Sequence, residues 1–356
     1  MKLAFIGAGR VVKWQIETFK YEPSIDVCGC YEIDASVRES YRMQDISFFS
    51  DIDSLLLSDP DVICISTPSD SHFTVLKDVV HKIKPSTIIT VEKPTFMKLS
   101  DFKEVINIAK SLNIVVLPIF QNRYNKAVQC TKKIVDDGRL GQILHGRVTL
   151  SWCRPQRYFD QAAWRGKWAS DGGSLTNQGI HFIDLTRYLF GEISDLIFRM
   201  DRIDVDIECE NVACGILRTS EGRLISLDIS TVSRPEDHKV EMTIYGSKGF
   251  ISLGGIAANC ITESSLEMDL ERSSEQIPHA YGYGHLKFYR ELMKSIDSGS
   301  FNNILSSIED SLKTHQLLHA AYTSAYYDGA NIKPNDLQIN LLGEHKGKIN
   351  FLSRSV

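Results

Sequence analysis

No stretch of this 356-residue chain approaches the ~18 consecutive apolar residues that a membrane-spanning helix needs, so its apolar runs are expected to serve a folded core. Long runs of lysine and arginine are missing too, and the net charge is -5, which argues against a nucleic-acid partner. Among eight cysteines and ten histidines there is no C-x-x-C, no H-x-H and no H-E-x-x-H, so no metal site is expected. Cys28 and Cys30 face the same way in an expected strand but lack a second ligand pair. Scattered cysteines with mostly apolar neighbours read as free thiols of a reducing cytoplasm. The N-terminal Met-Lys passes directly into a short strand-like run followed by Arg10, which does not read as a signal peptide. Internal repeats and low-complexity linkers are also lacking. What remains is an ordinary balance of 43% apolar and 24% charged residues, long enough for two globular domains.

Through the first third, apolar runs at residues 2–7, 25–31, 61–66, 87–91 and 114–119 alternate with helical periods such as 70–82 and 100–112. These two helical stretches open on capping residues, Asp70 and Ser100. That alternation predicts a Rossmann-type parallel sheet with helices on both faces, which binds ligands at the carboxyl ends of its strands. Beyond Gln121 the pattern changes. A helix at 127–137 is stopped by Gly138, a strand follows at 145–152, and a helix at 173–190 ends at Gly191. Strand-like stretches at 195–204, 213–219, 223–231, 240–245 and 249–253 then predict a mainly antiparallel sheet, and helices at 285–298 and 304–327 close the chain. The expected class is α/β: residues 1–122 as a nucleotide-binding domain and 123–356 as a substrate-binding and oligomerisation α+β domain.

Gly7-Ala8-Gly9 follows the first run and precedes a helix beginning near Arg10 and Val11. Glycine there allows a tight turn and close approach of a pyrophosphate to the helix N-terminus. Val12 stands in place of the third glycine, which weakens the fingerprint. Glu32 closes the second run about 20 residues on, where a carboxylate holds the adenosine ribose hydroxyls and repels a 2′-phosphate, favouring NAD. Thr67-Pro68 and His72, at the end of a later run, would line the same nucleotide; a proline turn capped by Asp70 accounts for these residues equally well, and both roles can coexist.

The order of Gly7-x-Gly9, Thr67-Pro68, Glu92-Lys93-Pro94 and a later helix carrying His181 resembles the glucose–fructose oxidoreductase/inositol dehydrogenase (Gfo/Idh/MocA) family over essentially the whole chain. Gln121-Asn122-Arg123-Tyr124-Asn125, Arg157-Tyr158-Phe159-Asp160-Gln161, Trp164-Arg165-Gly166-Lys167-Trp168, Asp171-Gly172-Gly173 and Asn177-Gln178-Gly179-Ile180-His181 resemble its subgroup that oxidises the 3-hydroxyl of UDP-N-acetylglucosaminuronate. The resemblance implies NAD as cofactor, with Glu92, Lys93 and Gln121 added to its contacts, and Lys93 and His181 flanking the reacting carbinol. A base within hydrogen-bond reach of the hydroxyl is what hydride removal needs, and histidine titrates in the right range. A lysine near the positive nicotinamide would have its own proton affinity lowered. The resemblance also implies a cytoplasmic homo-oligomer, dimer or tetramer, in surface-polysaccharide synthesis, and 2-oxoglutarate as a re-oxidant.

Asn177, His181 and Asp184 fall at i, i+4 and i+7, one face of a helix. Many relatives carry an aspartate where Asn177 stands; without charge, Asn177 is better suited to orienting a substrate hydroxyl. Asp184 either orients His181 or contacts substrate. Arg157 and Arg165 among Tyr158 and Trp164 suit a carboxylate or diphosphate and a sugar or uracil face, while a loop at a subunit interface is the plainer reading. Arg123, Tyr124 and Asn125 would join them. The run Tyr281-Gly282-Tyr283-Gly284-His285 reads as a flexible closing segment, with His285 at the surface. A dehydrogenase of another sugar, sugar phosphate or cyclitol and a non-catalytic NAD- and sugar-sensing regulator are the rival readings.

Overall fold

Short apolar runs become strands because their side chains bury on both faces. In the computed structural model, which describes residues 1–41, 46–337, 341–344 and 349, β1 (Lys2–Ile6), β2 (Asp26–Tyr31), β3 (Phe48–Phe49), β4 (Val62–Ile65), β5 (Ile88–Val91) and β6 (Val116–Pro118) form one sheet. It is parallel throughout, in the order β3-β2-β1-β4-β5-β6. Every residue of β4 and β5 is buried, as the central strands of a doubly covered sheet must be. Ile63, Ile65, Ile89 and Val91 pack with Phe96, Phe102 and Val105 on the side of the Leu99–Leu112 helix.

The second sheet holds β7 (Ile143–Ser151), β8 (Ile193–Asp201), β9 (Val212–Thr219), β10 (Leu224–Ser230), β11 (Lys239–Gly246), β12 (Gly249–Gly254) and β13 (Cys260–Ser264) in the order β13-β12-β11-β7-β10-β9-β8. Its pairs are antiparallel except β7 with β10. The Ile180–Phe190 helix packs on β7, and Gly146 permits this: a Cβ there would fall 2.4 Å from the Phe190 ring.

Three expectations need correction. The two-residue β3 and the edge strand β13 were not foreseen. The helix expected over 173–190 is two pieces, Ser174–Asn177 and Ile180–Phe190, because the Gly179 amide reaches back to Ser174 O at 2.7 Å, a wider turn than an α-helix makes. Asn177 therefore does not share a continuous helix face with His181 and Asp184. Finally, the chain divides into two compact units that a single cut at 122/123 does not capture. Met1–Gln121 takes Tyr283–Leu312 with it, while Asn122–Gly282 groups with Lys313–Val356. The Gly284–Ser298 helix returns to the first unit through Phe19 and Tyr289, whose rings meet edge-on at 5.3 Å, and no local pattern announces such a return.

Candidate active site

Gly7 leaves β1 with φ +87°, and a Cβ there would lie 2.6 Å from the Thr67 nitrogen, so only glycine fits. Gly9 caps the Arg10–Phe19 helix, and a Cβ on it would meet nothing within 4 Å. At Gly7 the chain itself fills the space. At Gly9 room is left at a helix N-terminus whose first turn has no acidic residue, which fits a pyrophosphate. Arg10 is exposed and Val11 partly buried beside that room, while Val12 is fully buried. Glu32 accepts the Ala8 amide at 2.8 Å and the Asp34 amide at 2.9 Å. Its carboxylate is fixed beside the glycine turn yet partly exposed, and both features suit a ribose hydroxyl donor.

Thr67 and Pro68 follow β4. His72, expected to line the cofactor, is buried instead, with Nε2 2.8 Å from Thr67 O and Nδ1 3.1 Å from both Pro94 O and Thr95 O. Its ring nitrogens face backbone carbonyls, so the side chain ties the Thr67 turn to the loop after β5. Glu92 is likewise turned inward. Its Oε1 accepts Gln15 Nε2 at 2.9 Å and His285 Nε2 at 2.8 Å, and its Oε2 accepts the Lys93 amide at 3.2 Å. Burial opposes charge on this carboxyl, but His285 and Lys93 hold it below the usual carboxylate range. Glu92 thus anchors the Lys93 turn rather than facing a nucleotide. His285, expected at the surface, is 2% exposed. Its backbone neighbour Gly284 is pressed against Gln121, whose carbonyl oxygen a Cβ would meet at 2.2 Å.

In the second unit, Arg123 gives Nε to Asp184 Oδ2 at 2.7 Å and Nη2 to Oδ1 at 2.6 Å, and lies over the Tyr188 ring. Thr314 donates to Asp184 Oδ1 at 3.0 Å and accepts from Arg187 at 2.8 Å. Arg123, expected at the substrate, and Asp184, expected to orient His181 or to contact substrate, are committed to each other: two opposite charges buried this deeply hold only as a hydrogen-bonded pair. Asn125 donates to Ala257 O at 2.7 Å and Tyr124 is buried, so this segment builds the fold.

The loop near Tyr158 behaves differently. Tyr158 Oη accepts Arg165 Nη1 at 2.6 Å and Gln178 Nε2 at 3.3 Å. Gln178 also donates to Asn177 Oδ1 at 3.2 Å, Asn177 donates to Asp171, and Asp171 accepts the Gly166 amide at 2.7 Å. Arg165 lies 4.4 Å from the Tyr158 ring centroid and 4.7 Å from that of Trp164. Arg154 is neutralised by Asp237 at 2.8 Å, whereas Arg165 has no carboxylate partner among the described residues and its Nε lacks a hydrogen bond. Arg165, Tyr158, Trp164 and Asn177 are brought together; Arg157 stays exposed. His181 opens the Ile180–Phe190 helix and is 8% exposed.

A glycine turn that leaves room at a helix N-terminus, within a six-stranded parallel sheet, is the arrangement of a dinucleotide-binding domain. Residues 1–120 match the oxidoreductase family with NAD-binding Rossmann fold, and residues 128–252 match the GFO/IDH/MocA C-terminal domain. The chain belongs to the GFO/IDH/MocA family. Its fold is similar to the WlbA dehydrogenase from Bordetella pertussis in complex with NADH and UDP-GlcNAcA, with a TM-score of 0.85 and 25% identity over 94% of this chain and 97% of that one. It is also similar to the myo-inositol 2-dehydrogenase of Thermotoga maritima, 24% identical over 84% of this chain and 89% of that protein. The D-apiose dehydrogenase of Rhizobium rhizogenes is 24% identical over 74% and 77%. Among the described residues no helix is long and apolar enough to cross a membrane.

Proposed function

We propose that the protein oxidises the C3 hydroxyl of a nucleotide-linked aminosugar uronate of the UDP-GlcNAcA type to a 3-keto sugar, in the synthesis of a surface polysaccharide. Arg165 carries the reading. A guanidinium stacked on two aromatic rings, with no carboxylate partner among the described residues, is suited to an anionic substrate group, carboxylate or diphosphate. The hydrogen-bonded chain from Arg165 through Tyr158 and Gln178 to Asn177 adds neutral partners for sugar hydroxyls. The likeness to a dehydrogenase solved with NADH and UDP-GlcNAcA supports the same substrate class.

NAD supplies the hydride acceptor, so the protein's own task is the hydroxyl proton. Lys93 and His181 are the groups we assign to it, and Asn177 orients the hydroxyl as a neutral donor and acceptor. Glu32 serves the adenosine ribose. The relatives acting on myo-inositol and apiose favour a second reading, an unlinked sugar or cyclitol as substrate.

A panel of UDP-GlcNAcA, UDP-GlcNAc, myo-inositol and apiose, read by NADH absorbance, separates the readings. We expect turnover of the uronate alone, decay of the bound NADH signal when 2-oxoglutarate is added, and a larger rise in Michaelis constant for the uronate than for UDP-GlcNAc in Arg165→Ala. Arg157→Ala, at an exposed position, should do less. Lys93→Met and His181→Ala should each keep NAD binding and lose roughly 100-fold in turnover. Equal turnover of uronate and neutral sugar by the wild type would remove the acidic substrate from the proposal.

A further inference from the structure

The carboxylate of Glu92 is 4% exposed and engages Gln15, His285 and the Lys93 amide. Charged and titratable groups face it from several elements. They are Cys64 on β4, His72 on the His72–Val80 helix, Lys93 after β5, and His285 with Tyr289 on the Gly284–Ser298 helix. Burial pushes the Cys64 thiol up to about 11 and the Tyr289 phenol well above its ordinary value, so both stay neutral. Burial also pushes His72 down, against the pull of its carbonyl contacts. His285 and Lys93 are then the groups of this set able to carry a positive charge beside Glu92. Were Lys93 the sole counter-charge, each proton it gave up would leave a bare anion in the interior, at high cost. A lysine that exchanges protons during turnover needs Glu92 held by something else, and His285 stands 2.8 Å from its Oε1.

We propose that His285 is a positioning residue for the dehydrogenation. As an imidazolium it is the standing counter-charge of Glu92 and keeps that carboxylate anchored on the Lys93 backbone while Lys93 changes protonation. The inference rests on Lys93 being a proton carrier, but its test needs no substrate.

Lysines of the full-length protein are reductively methylated with ¹³C, and the Lys93 signal, assigned by its loss in Lys93→Met, is titrated by NMR. His285→Gln keeps an N–H for Glu92 without the charge. Glu92 then acts uncompensated, and the Lys93 midpoint should rise by about one pH unit, roughly tenfold in its proton equilibrium. Adding Glu92→Gln to His285→Gln should return it to the wild-type value or below. An unchanged midpoint in His285→Gln overturns the proposal. So does a wild-type ¹⁵N imidazole spectrum showing His285 neutral at pH 7, a measurement that needs no variant to fold. If the sugar panel fails while the Lys93 midpoint still follows His285, the substrate reading falls and this one stands.

Discussion

Glu92 in the first unit and Glu210 in the second are the same side chain at nearly the same depth, 4% and 0% exposed, yet they titrate in opposite directions. Burial pushes both up. At Glu92 the His285 and Lys93 charges reverse that push and the carboxyl falls below its ordinary value. Among the described residues Glu210 meets only neutral donors: Oε1 accepts the Leu175 amide at 2.8 Å and Tyr322 Oη at 3.0 Å, while Oε2 has no hydrogen-bond partner there. Asp171 adds repulsion, and the carboxyl is pushed up to about 7. Depth alone does not set the charge of a buried acid; the presence of a cation does. Glu92 contributes stability above its unfolded value of 4.5, lost as pH falls through its lower folded value. Glu210 contributes below 4.5, and that contribution is lost as pH rises through about 7.

The largest effect should come from breaking the charged pair. Glu92→Ala leaves His285 buried without its anion and releases Gln15 and the Lys93 turn, so we expect a loss of about 3–5 kcal/mol in urea denaturation. Glu92→Gln, which keeps the shape and a carbonyl acceptor, should lose clearly less. Equal losses would mean that the charge, which both variants remove, and not packing, holds this corner together.

Much of the first unit is legible in the sequence because its cues are local. Each glycine turn, proline turn and Glu-Lys-Pro follows an apolar run, and a parallel sheet places strand ends where ligands bind. Charge pairing is not local. Glu92 and His285 are 193 positions apart, and Arg123 and Asp184 are 61 apart. Their one signal is an acid set where only apolar residues belong. Glu92 ends such a run, and Asp184 lies in a helix whose Ile180, Phe182, Ile183 and Leu185 are all buried. That signal says a partner exists without saying which. The same limit hid the return of Tyr283–Leu312 to the first unit and led to Arg123 being read as a substrate cation.

Replacing Glu210 with glutamine sharpens the contrast by removing one member's titration. The interval between 4.5 and about 7 corresponds to about 3 kcal/mol of stability that the wild type loses on going from acid to alkaline pH. Glu210→Gln retains an acceptor for the Leu175 amide and cannot ionise. Urea midpoints at pH 5 and pH 8 should therefore fall less in the variant than in the wild type. Parallel declines would show that the charge state of Glu210 does not control this region.

Glu32 offers a third setting for the same side chain, and the smallest effect. It is partly exposed, takes two backbone amides, and needs no buried cation, so water screens it and its removal should cost little stability. Its influence should instead appear in cofactor choice. The carboxylate can accept from the ribose hydroxyls of NAD and repel the extra phosphate of NADP. Glu32→Ser removes the repulsion and shortens the side chain, which no longer reaches the Ala8 amide. NAD should bind more weakly, NADP more tightly, and the ratio of their kcat/KM values should move toward NADP by about tenfold, roughly 1.4 kcal/mol. The expected change is in selectivity with a nearly constant urea midpoint. A wild type that already prefers NADP would overturn the role given to Glu32. A variant that unfolds early would place Glu32 with Glu92, as an acid on which the fold depends.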